Sequence, residues 1–193
     1  MKSYKLEIEQ EECPMNPRIE WDNTTTMICF HNRYNLGDKH NYKSDDYSGW
    51  QELKEQLQND YKILMIKPLY MYDHSGITIS TKPFSCSWDS GQIGWIFIDE
   101  ARLQYMSGDA SGFNELNLEE IIDADVKTYD QYLTGEVYRI TINEVEICSM
   151  GHQHETMLES IGGYYGYEYA EQEGQELLKH YEKEIALVKA NED

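Results

Sequence analysis

Three histidines and one aspartate are the residues of this sequence whose types and spacing best suit metal chemistry. His31, Asp38 and His40 lie within ten residues of one polar segment, and His74 follows at a turn between two apolar runs. Imidazole and carboxylate groups together bind zinc or another divalent transition metal. We therefore predict a Zn²⁺ site built from these four side chains. Because the spacings match no zinc finger or H-E-x-x-H pattern, the alternative that they only bind loop backbone stays open.

A metal bound there would either be structural and hold these loops together, or make the chain a metal-dependent hydrolase. In that hypothesis the metal activates a water molecule, and Asp73 or Asp89 in the neighbouring loops acts as general base. Ser75 and Ser90 are not part of a G-x-S-x-G motif, and the glycine-rich residues 162–166 lack the lysine of a phosphate-binding loop. The sequence therefore favours neither a serine hydrolase nor a nucleotide-binding protein.

The strongest compositional signal is acidity. The 193 residues include 36 acidic and 16 basic side chains, for a net charge of -20, and residues 96–193 alone carry 22 acidic against 6 basic side chains. Such a charge repels nucleic acid and anionic lipid, so we expect no direct nucleic-acid binding and no membrane binding. Folded carboxylates at this density can instead imitate a phosphate backbone and occupy a groove of lysines and arginines. The alternative, that the charge only keeps the protein soluble, stays open.

Carboxylates and tyrosines of the second half are the predicted contacts of such a surface. The carboxylates would meet the basic groove, and the tyrosines would add rigid aromatic contacts. The predicted partner-binding residues are Glu119, Glu120, Asp123, Asp125, Glu136, Tyr164, Tyr165 and Tyr167. An inhibitor of this kind is not an enzyme, so no catalytic residue is predicted for it.

The hydrophobic pattern predicts the elements that must position these residues. It indicates an α+β fold, mainly an antiparallel sheet with a few flanking helices and long ordered loops. The predicted strands are residues 5–9, 27–30, 63–72 with a bend or bulge at Pro68, 77–81, 94–99, 136–142 and 145–150, the last two joined by a turn at Asn143-Glu144. Helices are predicted to start near Ser48, with its hydroxyl as cap, and to cover residues 116–124 and 169–189. Residues 162–166 are predicted to form a flexible aromatic loop.

Length and composition predict one domain over residues 1–193, within which residues 115–193 can form a more acidic subdomain. Hydrophobic residues make up 40% of the chain, enough to bury a core. No apolar run approaches the roughly 20 residues that cross a bilayer, and no signal-like stretch follows Met1. The four cysteines form no C-x-x-C pair and are predicted to be reduced. We therefore expect a cytoplasmic protein.

Several segments together resemble a family of phage and plasmid proteins. They are Trp21-Asp22-Asn23, residues 29–40, Tyr72-Asp73-His74-Ser75-Gly76-Ile77-Thr78-Ile79-Ser80-Thr81, Phe84-Ser85-Cys86-Ser87-Trp88-Asp89-Ser90-Gly91 and residues 126–138, about half the chain. The resemblance implies a mobile-element origin in a bacterial host cell and supplies no catalytic residues. Small acidic phage proteins include anti-CRISPR and antirestriction inhibitors of host defence nucleases, and by that analogy we predict an inhibitor that blocks nucleic-acid access to such a nuclease or its nucleoprotein complex. The metal-dependent hydrolase is the alternative hypothesis.

Overall fold

The computed structural model describes residues 2–107 and 117–192, and it divides the chain into two compact units. The terminal unit joins Met1–Met15 to Gly135–Asp193, and the inserted unit is Asn16–Thr134. Within the described residues, seven strands in antiparallel sheets and five α-helices make an α+β fold, which confirms the predicted fold class. That the whole chain behaves as one domain stays a prediction.

The inserted unit is built on a four-stranded sheet in the order β2-β5-β3-β4, antiparallel throughout. Its strands are β2 (Thr26–Cys29), β3 (Ile63–Asp73), β4 (Ile77–Ser80) and β5 (Ser90–Asp99). The pairing of β3 with β5 shifts register between Leu69 and Tyr70, directly after Pro68, as expected where proline interrupts a strand. The tight turn between β3 and β4 contains Ser75, whose φ of 60° lies in the left-handed region. The predicted bent strand and the hairpin that follows it are confirmed.

Helices cover both faces of this sheet. The helices of the unit are α1 (Pro17–Glu20), α2 (Trp50–Asp60), α3 (Glu100–Ser107) and α4 (Leu118–Thr134). On one face Ile122 and Val126 of α4 pack in a cluster that includes Ile96 of β5. On the other face Leu53 and Leu57 of α2 pack in a cluster that includes Phe97. Because β5 is buried on both faces, its sequence is a continuous apolar run rather than an alternating one.

The terminal unit is a three-stranded antiparallel sheet with one long helix packed against it. The strand order is β1-β6-β7, with β1 at Lys2–Gln10, β6 at Val137–Ile147 and β7 at Gln153–Tyr165. The helix α5 (Tyr167–Glu192) packs against β1 and β6. The helix predicted over residues 169–189 is confirmed and is somewhat longer at both ends. Within the described part of the chain, no helix combines the length and the apolar character needed to cross a membrane.

Two of the predicted turns are wrong. Asn143-Glu144 does not turn the chain, because β6 continues through both residues and Asn143 pairs with Met157 of β7. The chain turns instead between Cys148 and His152, where Gly151 adopts a φ of 84°. The predicted flexible loop at residues 162–166 is largely strand, since β7 ends at Tyr165. A Cβ at Gly162 would lie 2.5 Å from a carboxylate oxygen of Glu11, and Gly163 adopts a φ of 84° in the left-handed region that favours glycine.

The predicted helix boundaries also need correction. Gly49, not Ser48, occupies the N-cap position of α2, and the Ser48 amide and hydroxyl both donate to the Glu52 carboxylate at 2.7 Å. The helix predicted to end at residue 124 continues to Thr134, because Val126 and Tyr129 extend its buried face. Leu116, the predicted start, lies outside the described residues. The sequence pattern did not predict the short helices α1 and α3.

Candidate functional site

The helix α5 places its small and apolar residues against the sheet of the terminal unit. Gly166, with a φ of 96°, links β7 to this helix. Ala170 is fully buried, and the backbone at Gly174 comes so close to the sheet that a Cβ there would lie 2.8 Å from the Leu6 side chain. About two helical turns further along, the ring of Tyr181 lies 5.4 Å from that of Tyr4. These contacts fix which side of the helix faces outward.

The outward side of the first half of α5 is a row of carboxylates. Glu168, Glu171 and Glu176 are exposed and fall within an arc of about 140° at 100° per residue, while Glu173 between them is half-buried. At about 1.5 Å per residue the four carboxylates follow one another along the axis at about 4.5, 3 and 4.5 Å, and Glu173 lies about 60° beyond Glu176 around the helix, towards the side that packs on the sheet. None of the four forms an ion pair with any residue the structure describes. We call these four residues the α5 acidic row.

The α4 carboxylates predicted to bind a partner are engaged differently. Lys67 Nζ of β3 lies 2.7 Å from Glu119 Oε1 and 3.0 Å from Asp123 Oδ1. Burial opposes the charge on this ammonium, but the hydrogen bonds to the two carboxylates outweigh burial and raise the pKa of Lys67. Asp123 also accepts a hydrogen bond from Thr81. Of the α4 carboxylates in the prediction, Glu120 alone is exposed without an ion-pair partner among the described residues.

Asp125 belongs to a buried network at the other side of α4. The Arg18 side chain is only 1% exposed and binds the Asp38 carboxylate through Nε at 2.9 Å and Nη2 at 2.5 Å. Asp125 Oδ2 lies 3.7 Å from Arg18 Nη1 and accepts a hydrogen bond of 2.6 Å from the Thr25 hydroxyl. A buried guanidinium needs such partners because an uncompensated charge inside a protein is costly. Asp125 therefore links α4 to α1 and to the residue before β2. Its carboxylate is already bound inside the unit, so a partner would have to displace these contacts.

The predicted aromatic contacts divide into exposed and buried rings. Tyr165 is buried, and its hydroxyl donates to the Met15 carbonyl. Tyr167 is 48% exposed, and Tyr169 is 53% exposed with its ring 5.7 Å from that of Tyr164. Burial, followed by the charges of nearby groups that include Glu173, raises the pKa of Tyr164. The rings beside the acidic row are thus Tyr164, Tyr167 and Tyr169.

Glu136 is exposed directly before β6. It belongs, with the predicted tyrosines, to the terminal unit, whereas the predicted α4 carboxylates belong to the inserted unit. The terminal unit carries 17 acidic and 6 basic residues, a net charge of -11, and the inserted unit carries 19 acidic and 10 basic residues, a net charge of -9. The terminal unit has the higher charge on fewer residues, so the acidity is densest there.

The four predicted metal ligands are each bound to other groups. Both Asp38 oxygens accept hydrogen bonds from Arg18, and one of them also accepts the Met27 amide at 2.8 Å. His40 Nε2 lies 3.0 Å from the Cys29 carbonyl, and its Nδ1 is buried without a hydrogen-bond partner in the described structure. His31 Nδ1 accepts the amides of two following residues at 3.3 Å. Among the described residues, no three His, Cys, Asp or Glu side chains are arranged to hold a metal ion.

The loops of the alternative hydrolase do meet, at one end of the inserted unit's sheet. His74 Nδ1 lies 3.4 Å from Asp89 Oδ2, while Asp73 is ion-paired with Arg33. A cavity of about 340 Å³ has both aspartates, together with Trp88, in its wall. The Trp88 side chain is 94% exposed. His74 and Asp89 are thus neighbours, whereas Asp73 is paired with the Arg33 guanidinium.

Two features of the structure were not predicted from the sequence. Arg18 stands alone between Pro17 and Ile19, so nothing in its neighbourhood predicts that it is buried against Asp38 and Asp125. The α5 carboxylates were visible as charge, and their spacing of three, two and three residues could have placed three of them on one helix face. No protein-family model, no curated protein and no solved structure matches this chain.

Proposed function

We propose that this chain is a non-enzymatic inhibitor of a host defence nuclease, of the anti-CRISPR or antirestriction type, and that it acts in the cytoplasm of a bacterial cell. It binds a basic surface on the nuclease or its nucleoprotein complex and so blocks access of nucleic acid. The α5 acidic row is the centre of the interface. The exposed rings of Tyr167 and Tyr169 contact the partner at its border.

One observation carries this proposal: the α5 acidic row has three exposed carboxylates and one half-buried carboxylate that no described basic residue neutralises. They follow one another at about 3 to 4.5 Å along the helix axis, which is comparable with the roughly 3.4 Å of DNA axis per phosphate of one strand. A groove that evolved to hold phosphates therefore finds charges at a similar repeat on a rigid helix. Carboxylates of a purely solubilising surface need no such spacing.

The pairing pattern selects α5 over α4. Glu119 and Asp123 share Lys67, and Asp125 shares Arg18, so a partner would have to break internal ion pairs before it could use them. Breaking a partly buried pair costs more free energy than engaging an exposed carboxylate, which only loses water and counterions. Of the predicted α4 contacts, Glu120 remains available to a partner.

The metal-dependent hydrolase has less support. Its proposed ligands Asp38 and His40 already bind Arg18 and the Cys29 carbonyl, and Asp73 is paired with Arg33. A metal would have to displace these partners, including the guanidinium of Arg18, whose side chain is only 1% exposed. We therefore rank inhibition first.

A titration tests the proposed function. Purified chain is added to a fixed concentration of each of several guide-RNA-directed and restriction nucleases, and cleavage of labelled DNA is measured. A stoichiometric blocker gives a break near a simple integer ratio, leaves the nuclease chemically unchanged and releases it active on dissociation. Inhibition at far less than one equivalent would indicate an enzyme, and no inhibition of any nuclease in the panel would contradict the proposal.

A further inference from the structure

A small cavity lies where β2 leads into the polar segment before α2. It has a volume of about 160 Å³ and is partly open. Its wall is formed by Phe30, Ser44, Tyr47, Gly49, Trp50 and Leu53. A cavity of about 150 Å³ is large enough to hold a molecule the size of benzene. The α5 acidic row includes none of these residues, whereas Phe30 directly precedes the predicted ligand His31 and its ring lies 5.2 Å from that of His40.

Three of the residues that line the cavity are aromatic. The rings of Phe30 and Trp50 are stacked, with 6.2 Å between their centroids and 25° between their planes, and Tyr47 is the third aromatic residue of the wall. Leu53, 1% exposed, contributes the apolar core beneath them. The electron-rich faces of such rings attract a cation that lies against them.

Hydrogen bonds fix the backbone at each of the three aromatic residues. The Phe30 amide donates to the Ile93 carbonyl at 2.8 Å, and the Trp95 indole N–H donates to the Trp50 carbonyl at 2.9 Å. The Tyr47 amide donates to the Ser44 carbonyl at 3.3 Å, which closes the short 3₁₀ turn Ser44–Asp46. A ligand therefore meets walls that are already ordered, so it loses little affinity to ordering them.

Carboxylates surround the aromatic walls. Burial, followed by the negative charges of Asp46, Asp60 and Glu52, raises the pKa of Tyr47, so all three carboxylates act on this ring. The Ser48 amide and hydroxyl, which both donate to Glu52, hold the pKa of that carboxyl below its usual range and keep it negatively charged. Among the residues that the structure describes, no lysine or arginine is part of the cavity wall. Lys54, the one lysine of α2, lies over the Trp95 ring at 5.1 Å.

We propose that this cavity binds the quaternary ammonium head group of an organic cation. The methyl groups of such a cation replace water against the faces of Phe30, Tyr47 and Trp50, and its charge is attracted by the rings and by the nearby carboxylates. A neutral ligand of the same shape gains the apolar contact alone. An ordinary ammonium ion is strongly hydrated and would lose that water on entering, so methylation favours entry. This site is independent of the α5 acidic row and adds a ligand to the proposed inhibitor.

An NMR titration with matched probes tests the site. The ¹⁵N-labelled chain is titrated with tetramethylammonium chloride and, separately, with neopentanol, its neutral counterpart in shape, at constant ionic strength. We expect the indole signal of Trp50, identified by its loss in Trp50→Phe, to shift with an affinity for tetramethylammonium at least about tenfold higher than for neopentanol. Equal affinities would overturn the proposal. So would an unshifted signal at about 100 mM, which saturates a site of millimolar Kd.

Two variants distinguish the contribution of an aromatic ring to binding from an effect on folding. Tyr47→Leu keeps an apolar wall but removes one ring face, and we expect it to weaken tetramethylammonium binding at least about threefold with neopentanol unaffected. Trp88→Leu removes an exposed ring of the same unit away from the cavity and should leave both affinities unchanged. Thermal melts of both variants report folding. Tetramethylammonium affinity unchanged in folded Tyr47→Leu would contradict the proposal.

Two further probes distinguish the possible sources of the head group. Choline carries it as a free metabolite, and the amide of Nα-acetyl-trimethyl-lysine carries it as a modified side chain. Each is compared with its unmethylated amine, and tighter binding of either methylated form supports the site and identifies the source. If neither methylated form binds more tightly than its amine, the proposal fails.

Discussion

Arg18 and Asp38 form a buried bidentate ion pair, with Nε 2.9 Å from Oδ1 and Nη2 2.5 Å from Oδ2. The guanidinium, on the first helix of the inserted unit, also contacts Thr25 of the loop before β2 and Asp125 of α4. One side chain thus links three segments that are far apart in sequence. The sequence predicts Asp38 as a metal ligand, but in the structure its carboxylate neutralises the buried charge of Arg18.

Asp38→Asn tests that role. The amide keeps one acceptor but removes the charge that balances Arg18, so we expect a loss of about 3 kcal/mol in the free energy of unfolding. Urea denaturation followed by circular dichroism measures the change, with the exposed Asp22→Asn as control. A loss below about 0.5 kcal/mol, typical of a surface substitution, would contradict the assignment.

The Cys29 thiol should be the least reactive of the cysteines. Burial, followed by the negative charge of Asp38, raises its pKa to about 12, although Arg18 opposes the shift. At pH 8 only about one thiol in ten thousand would then be ionised, whereas Cys13 is exposed. Timed alkylation read by mass spectrometry should label Cys13 early and Cys29 only on unfolding.

The raised pKa of Cys29 also predicts an alkaline loss of stability. Because the folded-state pKa lies above the ordinary value of 9.0, the neutral thiol is favoured by folding, and this stabilisation is lost as the pH rises from about 9 towards 12. Cys29→Ala should flatten that part of the pH profile. Labelling of Cys29 at the rate of Cys13 in the folded chain would show that the thiol is accessible and would refute both expectations.

Metal removal tests the predicted zinc site, which either functional hypothesis allows. We expect chelator treatment to leave the melting temperature unchanged and His74→Ala to leave the metal content unchanged, because Asp38 and His40 are committed to other partners. Elemental analysis of the purified chain measures the content. About one equivalent of zinc that is lost in His74→Ala, together with a lower melting temperature, would restore the metal site.

The elements could be predicted where the apolar pattern is strong, as in β5 and the β3–β4 hairpin. The pattern failed where polar residues are buried or paired. Asn143 looks like a turn residue, yet it is buried in β6 and donates to the Glu7 carboxylate at 2.8 Å. The same limit applies to the site, because a row of acidic residues is visible in sequence whereas the basic residues that neutralise some of them come from distant segments. Lys67 is 52 residues from Glu119, and only the folded chain brings them together.

Association with the nuclease should depend strongly on salt. An interface centred on exposed carboxylates loses its long-range attraction as salt rises from about 50 to 500 mM, where the Debye length falls from roughly 14 to 4 Å. Surface plasmon resonance at several salt concentrations should show a falling association rate and a weaker Kd. Binding that is insensitive to salt would indicate an apolar interface instead.

Charge reversal on α5 tests whether the α5 acidic row binds the partner. The triple variant Glu168→Lys, Glu171→Lys and Glu176→Lys is compared with Glu20→Lys, Asp22→Lys and Glu55→Lys, three exposed residues of the inserted unit. Each triple raises the net charge by 6, from -20 to -14, so the two variants differ only in where the charge changes. Thermal melts establish that both remain folded, and the measurement is the Kd of each for the nuclease that the titration identifies.

We expect the α5 triple to weaken binding at least about a hundredfold, because like charges then face each other across the interface. The control triple should change the Kd by no more than about threefold, the effect of total charge alone. Equal weakening by both triples would show that only net charge matters, and an unchanged Kd for the α5 triple would place the interface elsewhere; either result contradicts the claim that the α5 acidic row binds the partner.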